Sequence, residues 1–347
     1  MQPPITPAIT LDDFTKTIKQ LRVQHIPSPE KAVYNAFKAV IENMPRAKPH
    51  LNLEQLGLLN YLEPLILSQA STVVEQTRKK TWEQHRENEK SFCIELSQQL
   101  FPTEMLQQLT PEQTQSLVAE CMHDYFYEIA LSNNQSRRNL AGREFGALLE
   151  LLFCGVGITT QHKGTIREYD QERAINLVIP SSSHLSAEPT KTALISAKIT
   201  LRESWQELIE EAKRFKSSKM YLATLDDKIT KQTINLLQNA NICIVTTPRN
   251  KAALCNYCRL SSANAAKILS FEEMLVEVKD LTKSYDYTRW DKTSFEHLRM
   301  FYGSVGDNDP RPLVSDFYKQ QLKALQQQRP WVDPIIELWT SRVDGKI

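Results

Sequence analysis

One stretch constrains the fold more than any other: Ala193 to Arg214, Ala-Leu-Ile-Ser-Ala-Lys-Ile-Thr-Leu-Arg-Glu-Ser-Trp-Gln-Glu-Leu-Ile-Glu-Glu-Ala-Lys-Arg. It puts a lysine on a strand and runs straight into an amphipathic helix. Ile195, Ala197 and Ile199 alternate with Ser196, Lys198 and Thr200, the period of two expected of a strand with two different faces. Trp205, Leu208, Ile209, Ala212 and Phe215 then recur at helical spacing and make one apolar stripe. Glu211 flanks that stripe, whereas Glu210 points away from it. A strand lysine and a carboxylate at the sheet-facing edge of the next helix can converge on one metal and one phosphate.

The segment resembles the active-site strand and helix of type II restriction endonucleases of the PD-(D/E)xK superfamily. The subgroup is the one that cuts CCNGG, CCWGG or CCGG-containing sites. There the glutamate of the motif is displaced onto the following helix and leaves Ser-x-Lys on the strand. Here these are Ser196-Ala197-Lys198 and Glu211, thirteen residues after the lysine. A second run, Ser136-Arg137-Arg138-Asn139-Leu140-Ala141-Gly142-Arg143-Glu144-Phe145, looks like the one that opens the catalytic core of that subgroup. The resemblance covers roughly residues 131 to 250.

One departure outweighs the rest. The resemblance implies a metal-binding aspartate about 22 residues before the lysine, and that position is Asn176. A neutral amide cannot supply the negative charge that holds a hard divalent cation. Asp170 lies six residues upstream, at the wrong spacing and in a polar run that reads as a loop. Either the chain carries an Asp→Asn change that traps uncut DNA, or the ligand has been lost or relocated. The intact state of the other catalytic positions favours the first. Smaller departures are Leu140, where the resemblance implies an arginine, and Gly146, where it implies a glutamate. Glu144 or Glu150 would then have to stand in for that glutamate.

Carried over position by position, the resemblance implies that Asn176 and Glu211 hold Mg²⁺, and that Lys198 faces the attacking water and the phosphate. Ser196 shares the strand face of the lysine and can hydrogen-bond near the metal. A charged triplet before the helix, Arg202-Glu203-Ser204, would enter the major groove. Arginine donates to guanine O6 and N7, and the acid accepts from the cytosine N4 amino group. The same residues also read as a helix cap, with Ser204 at the N-cap and Glu207 three positions on. Arg137, Arg138 and Arg143 are expected to meet DNA phosphates or pair with core acids. Trp82 reads as core, or as a platform on which a flipped base could stack.

The length of 347 residues allows two or three domains. An apolar content of 41% and a charged content of 24% describe an ordinary globular chain, and nine glycines suit a helix-rich one. The net charge of +1 does not select a partner, since a basic cleft can sit on a neutral body. Six cysteines in mostly apolar surroundings, with no signal peptide before them, read as reduced thiols of a cytoplasmic protein. Cys255 and Cys258 form a lone CxxC with no second pair, which argues against zinc. No apolar run reaches the ~20 residues of a membrane span.

Along the chain, residues 1–130 read as a helical N-terminal region serving dimerisation or DNA contacts. Helices are expected near Thr10 or Asp12, from Ser28-Pro29, over Leu53 to Ser71, through the charged stretch Thr72 to Leu100, and from Thr110-Pro111. The charged stretch reads as a solvated amphipathic helix, or as one lying at a dimer interface or along DNA. Residues 131–275 read as an α/β catalytic core, a mixed sheet flanked by helices. Its helices are expected at 142–152, 205–215 and 228–239, and its strands at 174–179, 193–200, 220–224 and 242–246. Residues 276–347 read as a helical or irregular extension.

The expectation is a homodimeric, Mg²⁺-dependent restriction endonuclease acting on double-stranded DNA at a palindromic site with CC/GG pairs, in an inactivated form. Pairing of dimers into tetramers is left open. The alternative is a sequence-specific DNA-binding protein that keeps the fold without the activity. A junction-resolving or repair nuclease has no use for a base-reading Arg-Glu pair before the catalytic helix.

Overall fold

The structure, a computed structural model, describes residues 7–44, 59–162, 175–201, 205–215 and 218–328. It divides into two compact units, one of residues 1–44 and 74–148, the other of residues 45–73 and 149–347.

The first unit is helical. Its segments come from α1 (Leu11–His25), α2 (Pro29–Glu42), α3 (Leu59–Leu100), the short α4 (Thr103–Leu106) and α5 (Pro111–Gly155). The expected starts are in place. The Thr10 side chain accepts from the Asp13 N–H, and that of Ser28 from the Lys31 N–H, with Pro29 in the first turn. Thr110 and Gln113 cap each other reciprocally. Phe14, Ile18 and Leu21 of α1 pack against Phe92, Leu96 and Leu100 of α3 and Leu117 and Cys121 of α5. Each large side chain so buried contributes about 1.5–3 kcal/mol.

Of two expectations about these helices, one holds with a shifted boundary and one needs correction. The helices read separately on either side of residue 71 are two helical segments of α3 that meet at a kink, with the boundary at Gln69 (φ −142°, ψ 24°) instead. Residues 53–58 of the first lie outside the described residues. The change of pattern near residue 131 is not a break, because α5 runs unbroken from Pro111 to Gly155 and contains the helix expected at 142–152. No proline falls between Pro111 and Pro180, and Gly142 and Gly146 alone do not end a helix.

The second unit is built on a six-stranded sheet in sequential order. The strands are β1 (Gln161–His162), β2 (Leu177–Ile179), β3 (Ala193–Lys198), β4 (Lys219–Thr224), β5 (Ile242–Thr246) and β6 (Ile268–Ser270). From β1 to β3 the pairing is antiparallel, and from β3 to β6 it is parallel. The parallel part needs crossovers. They are α7 (Trp205–Arg214) after β3, α8 (Lys231–Asn239) after β4, and α9 (Pro248–Cys258) with α10 (Ser262–Ala265) after β5. The short α6 (Ser182–Ala187) lies between β2 and β3, and α11 (Phe271–Leu281), α12 (Lys292–Asn308) and α13 (Pro312–Gln327) follow β6.

The strands at 177–179, 193–198, 219–224 and 242–246 match the expected ones, the first two shorter at one end, the third one residue longer and the fourth identical. β1 and β6 were not expected, because two- and three-residue strands are too short to show alternation. The region after 276, expected as helical or irregular, is helical in α12 and α13. These approach closely at Gly306, where an added Cβ would lie 3.0 Å from Cγ and 3.3 Å from the backbone nitrogen of Lys319. Among the described residues no helix is long and apolar enough to cross a membrane.

Candidate active site

The sheet register puts the Ser-x-Lys face where the sequence expects it. Leu194 pairs with Met220 and Ser196 with Leu222. Leu194, Met220, Leu222 and Leu208 of α7 belong to one buried cluster, against which Trp205, Ile209, Ala212 and Phe215 pack. Paired residues share a face, so Ser196 and, two residues on, Lys198 point to the α7 side. Glu211 is buried at 5% exposure and Glu210 is exposed, as the helix pattern requires. Ser196 is almost fully buried, and its hydroxyl has no hydrogen-bond partner in the structure. Lys198 sits at the C-terminal end of β3 opposite Thr224, half-buried.

Asn176 lies one residue before β2 and grips β3 on both sides of Ser196. Its backbone N–H donates to the Ile195 carbonyl (2.8 Å), and its Oδ1 accepts from the Ala197 N–H (2.7 Å). The carboxamide is thereby oriented, since an N–H must meet the oxygen rather than the nitrogen. The other branch is an NH₂, a donor with no lone pair for a metal.

The donor set does not fit a cation clasped by two carboxylates. Glu211 supplies one charge, but position 176 offers an oxygen already engaged by Ala197 and a nitrogen that only donates. Among the described residues no group of three His, Cys, Asp or Glu side chains is placed to hold a metal ion. Glu144 and Glu150, the two candidates to stand in for the glutamate absent at Gly146, each have partners of their own. Glu144 is raised by burial and lowered by the facing charge of Arg78, beside which it sits in the first unit. Glu150 is buried on the opposite face of the sheet: it meets His162 (3.3 Å) and Arg311 (2.6 Å), and His162 pairs with Leu177, which pairs with Ile195. Burial pushes the Glu150 carboxyl up, but the His162 hydrogen bond and the Arg311 charge outweigh it and hold the pKa at about 2.

Arg202, Glu203 and Ser204, and likewise Asp170, lie outside the described residues. The backbone entering the triplet is held by a residue that sequence reading missed, Asp226. Its carboxylate accepts from the N–H groups of Leu201 (2.9 Å) and Lys228 (2.9 Å), and its own N–H donates to Thr224 Oγ1 (3.1 Å). An aspartate two residues past the end of a strand reads only as an ordinary turn residue.

In the first unit, Arg137 forms an ion pair with the buried Glu89 and Arg143 with Glu30 (2.9 Å), while Arg138 is exposed. Trp82 is not core: it is 46% exposed, stacked on His85 with ring centroids 5.7 Å apart, and Arg137 lies 5.6 Å from its ring centroid.

A mixed sheet with a strand lysine, a buried helix glutamate and flanking helices defines a restriction-endonuclease-like fold. Comparison with solved structures agrees. Metal-depleted Ecl18kI in complex with uncleaved, modified DNA matches with a TM-score of 0.74 and 30% identity, over 91% of this chain and 99% of that one. A PspGI–substrate DNA complex, 17% identical, shares the fold at a TM-score of 0.52 over 76% of this chain and 95% of its own. The family model described as EcoRII C terminal matches residues 103–275. The type II restriction enzyme SsoII of Shigella sonnei is 30% identical over 319 residues, 90% of this chain and 97% of the relative. The chain belongs to the type II restriction endonuclease family.

Proposed function

We propose that this protein recognises double-stranded DNA at a palindromic site containing CC/GG pairs, on a scaffold built for Mg²⁺-dependent hydrolysis, in a form inactivated by asparagine at position 176. The observation that carries the proposal is the gathering of Ser196, Lys198 and the buried Glu211 on one face, with Asn176 bonded on either side of Ser196.

Lys198 would meet the scissile phosphate and offset the charge that grows on it. The Ser196 hydroxyl would bond at the same centre. Glu211, with an aspartate at position 176, would hold the Mg²⁺ that polarises the phosphate and activates water. With Asn176 in place the second charge is missing. Arg202 and Glu203 would read a G·C pair, with Ser204 beside them, and Arg138 would meet the DNA backbone. Arg137 and Arg143 would do so only by sharing or leaving Glu89 and Glu30. A palindromic site calls for a two-fold symmetric reader, hence a homodimer. The SsoII, Ecl18kI and PspGI names and complexes support DNA as the partner.

The second reading is a DNA-binding protein without cleavage activity, favoured by the engagement of the Asn176 oxygen with Ala197. One experiment separates the two: the chain and its Asn176→Asp variant are incubated with genomic DNA and Mg²⁺, and the DNA ends are sequenced. Defined ends from the variant support the endonuclease. Specific binding without ends from either protein supports the second reading, and no specific binding by either overturns both.

A further inference from the structure

The amide at position 176 does more than remove a metal ligand. Its oxygen is committed to the Ala197 N–H at 2.7 Å, so its Nδ2 is the branch left to face a ligand, one residue along the sheet from Lys198. Among the described residues no group accepts a hydrogen bond from this Nδ2, and none forms an ion pair with Lys198. The buried Ser196 hydroxyl, also without a partner, lies between them in the chain. The amide N–H₂ and the ammonium are two donors, and the oxyanion of a phosphodiester is the ligand that takes both, while the Ser196 hydroxyl stays buried beneath them and Glu211 is the buried carboxylate on the same face. A carboxylate at position 176 would instead set a second like charge, beside that of Glu211, against the phosphate unless a cation stood between them.

We propose that Asn176 is a phosphate-binding residue, whose Nδ2 donates to a non-bridging oxygen of a DNA phosphodiester alongside Lys198, making this site a metal-independent phosphate clamp. The proposal rests on the reading of Lys198 as facing DNA. It differs from simple inactivation in predicting a gain in metal-free binding, where inactivation alone predicts only a loss of cutting. Metal-depleted Ecl18kI is held on uncleaved DNA, so the informative quantity is the size and metal response of the affinity, and not whether a metal-free complex exists.

The test measures dissociation constants of the full chain, Asn176→Asp and Asn176→Ala on short duplexes carrying CCNGG with each central base, and on one lacking CC/GG pairs. Each is measured in EDTA and in Ca²⁺, a cation that accepts flexible oxygen coordination. In EDTA the unaltered chain should bind about tenfold tighter than either variant, on every duplex alike, because a phosphate contact carries no sequence information. Ca²⁺ should leave the unaltered chain unchanged and tighten Asn176→Asp. Asparagine and aspartate are nearly isosteric and both accept from the Ala197 N–H, so Asn176→Asp keeps the fold. Equal affinities of all three proteins in EDTA, or an affinity of the unaltered chain that rises with Ca²⁺ as steeply as that of Asn176→Asp, overturns the clamp while the DNA-binding reading stands. Failure of all three proteins to bind any duplex overturns both.

Discussion

The Oδ1 of Asn176 accepts the backbone N–H of Ala197 at 2.7 Å, while the Asn176 N–H donates to the Ile195 carbonyl at 2.8 Å. Through this pair of bonds the residue before β2 is fastened to β3 around Ser196, next to Lys198. An aspartate could make the same two bonds with one carboxylate oxygen to spare. Asparagine and aspartate at this position therefore differ in one atom, a donating NH₂ or an accepting oxygen, with no backbone rearrangement required.

Asn176→Asp should raise Mg²⁺-dependent cleavage of cognate DNA by about 10²-fold or more, the scale of losing or gaining one strong electrostatic contact at a reacting centre. Time courses on a plasmid carrying CC/GG sites check this. An unaltered chain that cuts as fast as the variant would show that position 176 is not the metal site.

In the Asn176→Asp background, Lys198→Ala and Glu211→Ala should each abolish cleavage and leave sequence-specific binding largely intact. Glu210→Ala should have little effect, because Glu210 is exposed where Glu211 is buried. Parallel cleavage and gel-shift assays suffice, and damage from Glu210→Ala alone would refute the reading of the α7 face.

Arg202→Ala should cost about 1–3 kcal/mol of specific binding and relax one G·C position, whereas Ser204→Ala should cost much less, since serine is too short for a bidentate guanine contact. Asp226→Ala should mimic Arg202→Ala in part: it frees the Leu201 N–H and loosens the backbone that leads into the triplet. Binding selection on randomised duplexes reads all three, and a Ser204→Ala profile as relaxed as that of Arg202→Ala would make the serine a direct reader.

Acid should destabilise the fold through two buried groups of the second unit. His184 is depressed to about 3 by burial, with its ring between Ser181 and Tyr287, so it is neutral when folded. Its contribution is complete above the ordinary histidine range and is lost as pH falls from about 6.5 towards 3. Glu150, depressed to about 2, contributes fully above its ordinary value of 4.5 and loses that contribution as pH falls towards 2. Urea unfolding between pH 7 and 4 should show His184→Gln with a flatter pH dependence than the unaltered chain. At pH 7, Glu150→Ala should cost about 3–5 kcal/mol by leaving Arg311 buried with one carboxylate fewer. An unchanged slope for His184→Gln would remove that histidine from the account.

What the sequence by itself determined is the local and periodic part. The two-residue alternation of β3 and the apolar stripe of α7 fixed which faces carry Ser196, Lys198 and Glu211, because side-chain direction follows from the element's own geometry. The caps at Thr10, Ser28 and Thr110 were legible for the same reason. Other features depended on long-range partners. Glu150 was on the sequence a candidate for the glutamate absent at Gly146, and pairing of β1 with β2 and the burial of Arg311 set it on the sheet face opposite Ser196. Trp82 sits at core-like helical spacing yet is half exposed, since only packing decides which side of a long helix is covered. The oxygen of Asn176 is committed by a hydrogen bond to a residue 21 positions away, and Asp226 reaches back 25 to Leu201. Contacts across such separations leave no period in the chain, so only the tertiary structure decides which atom of a side chain is left to act.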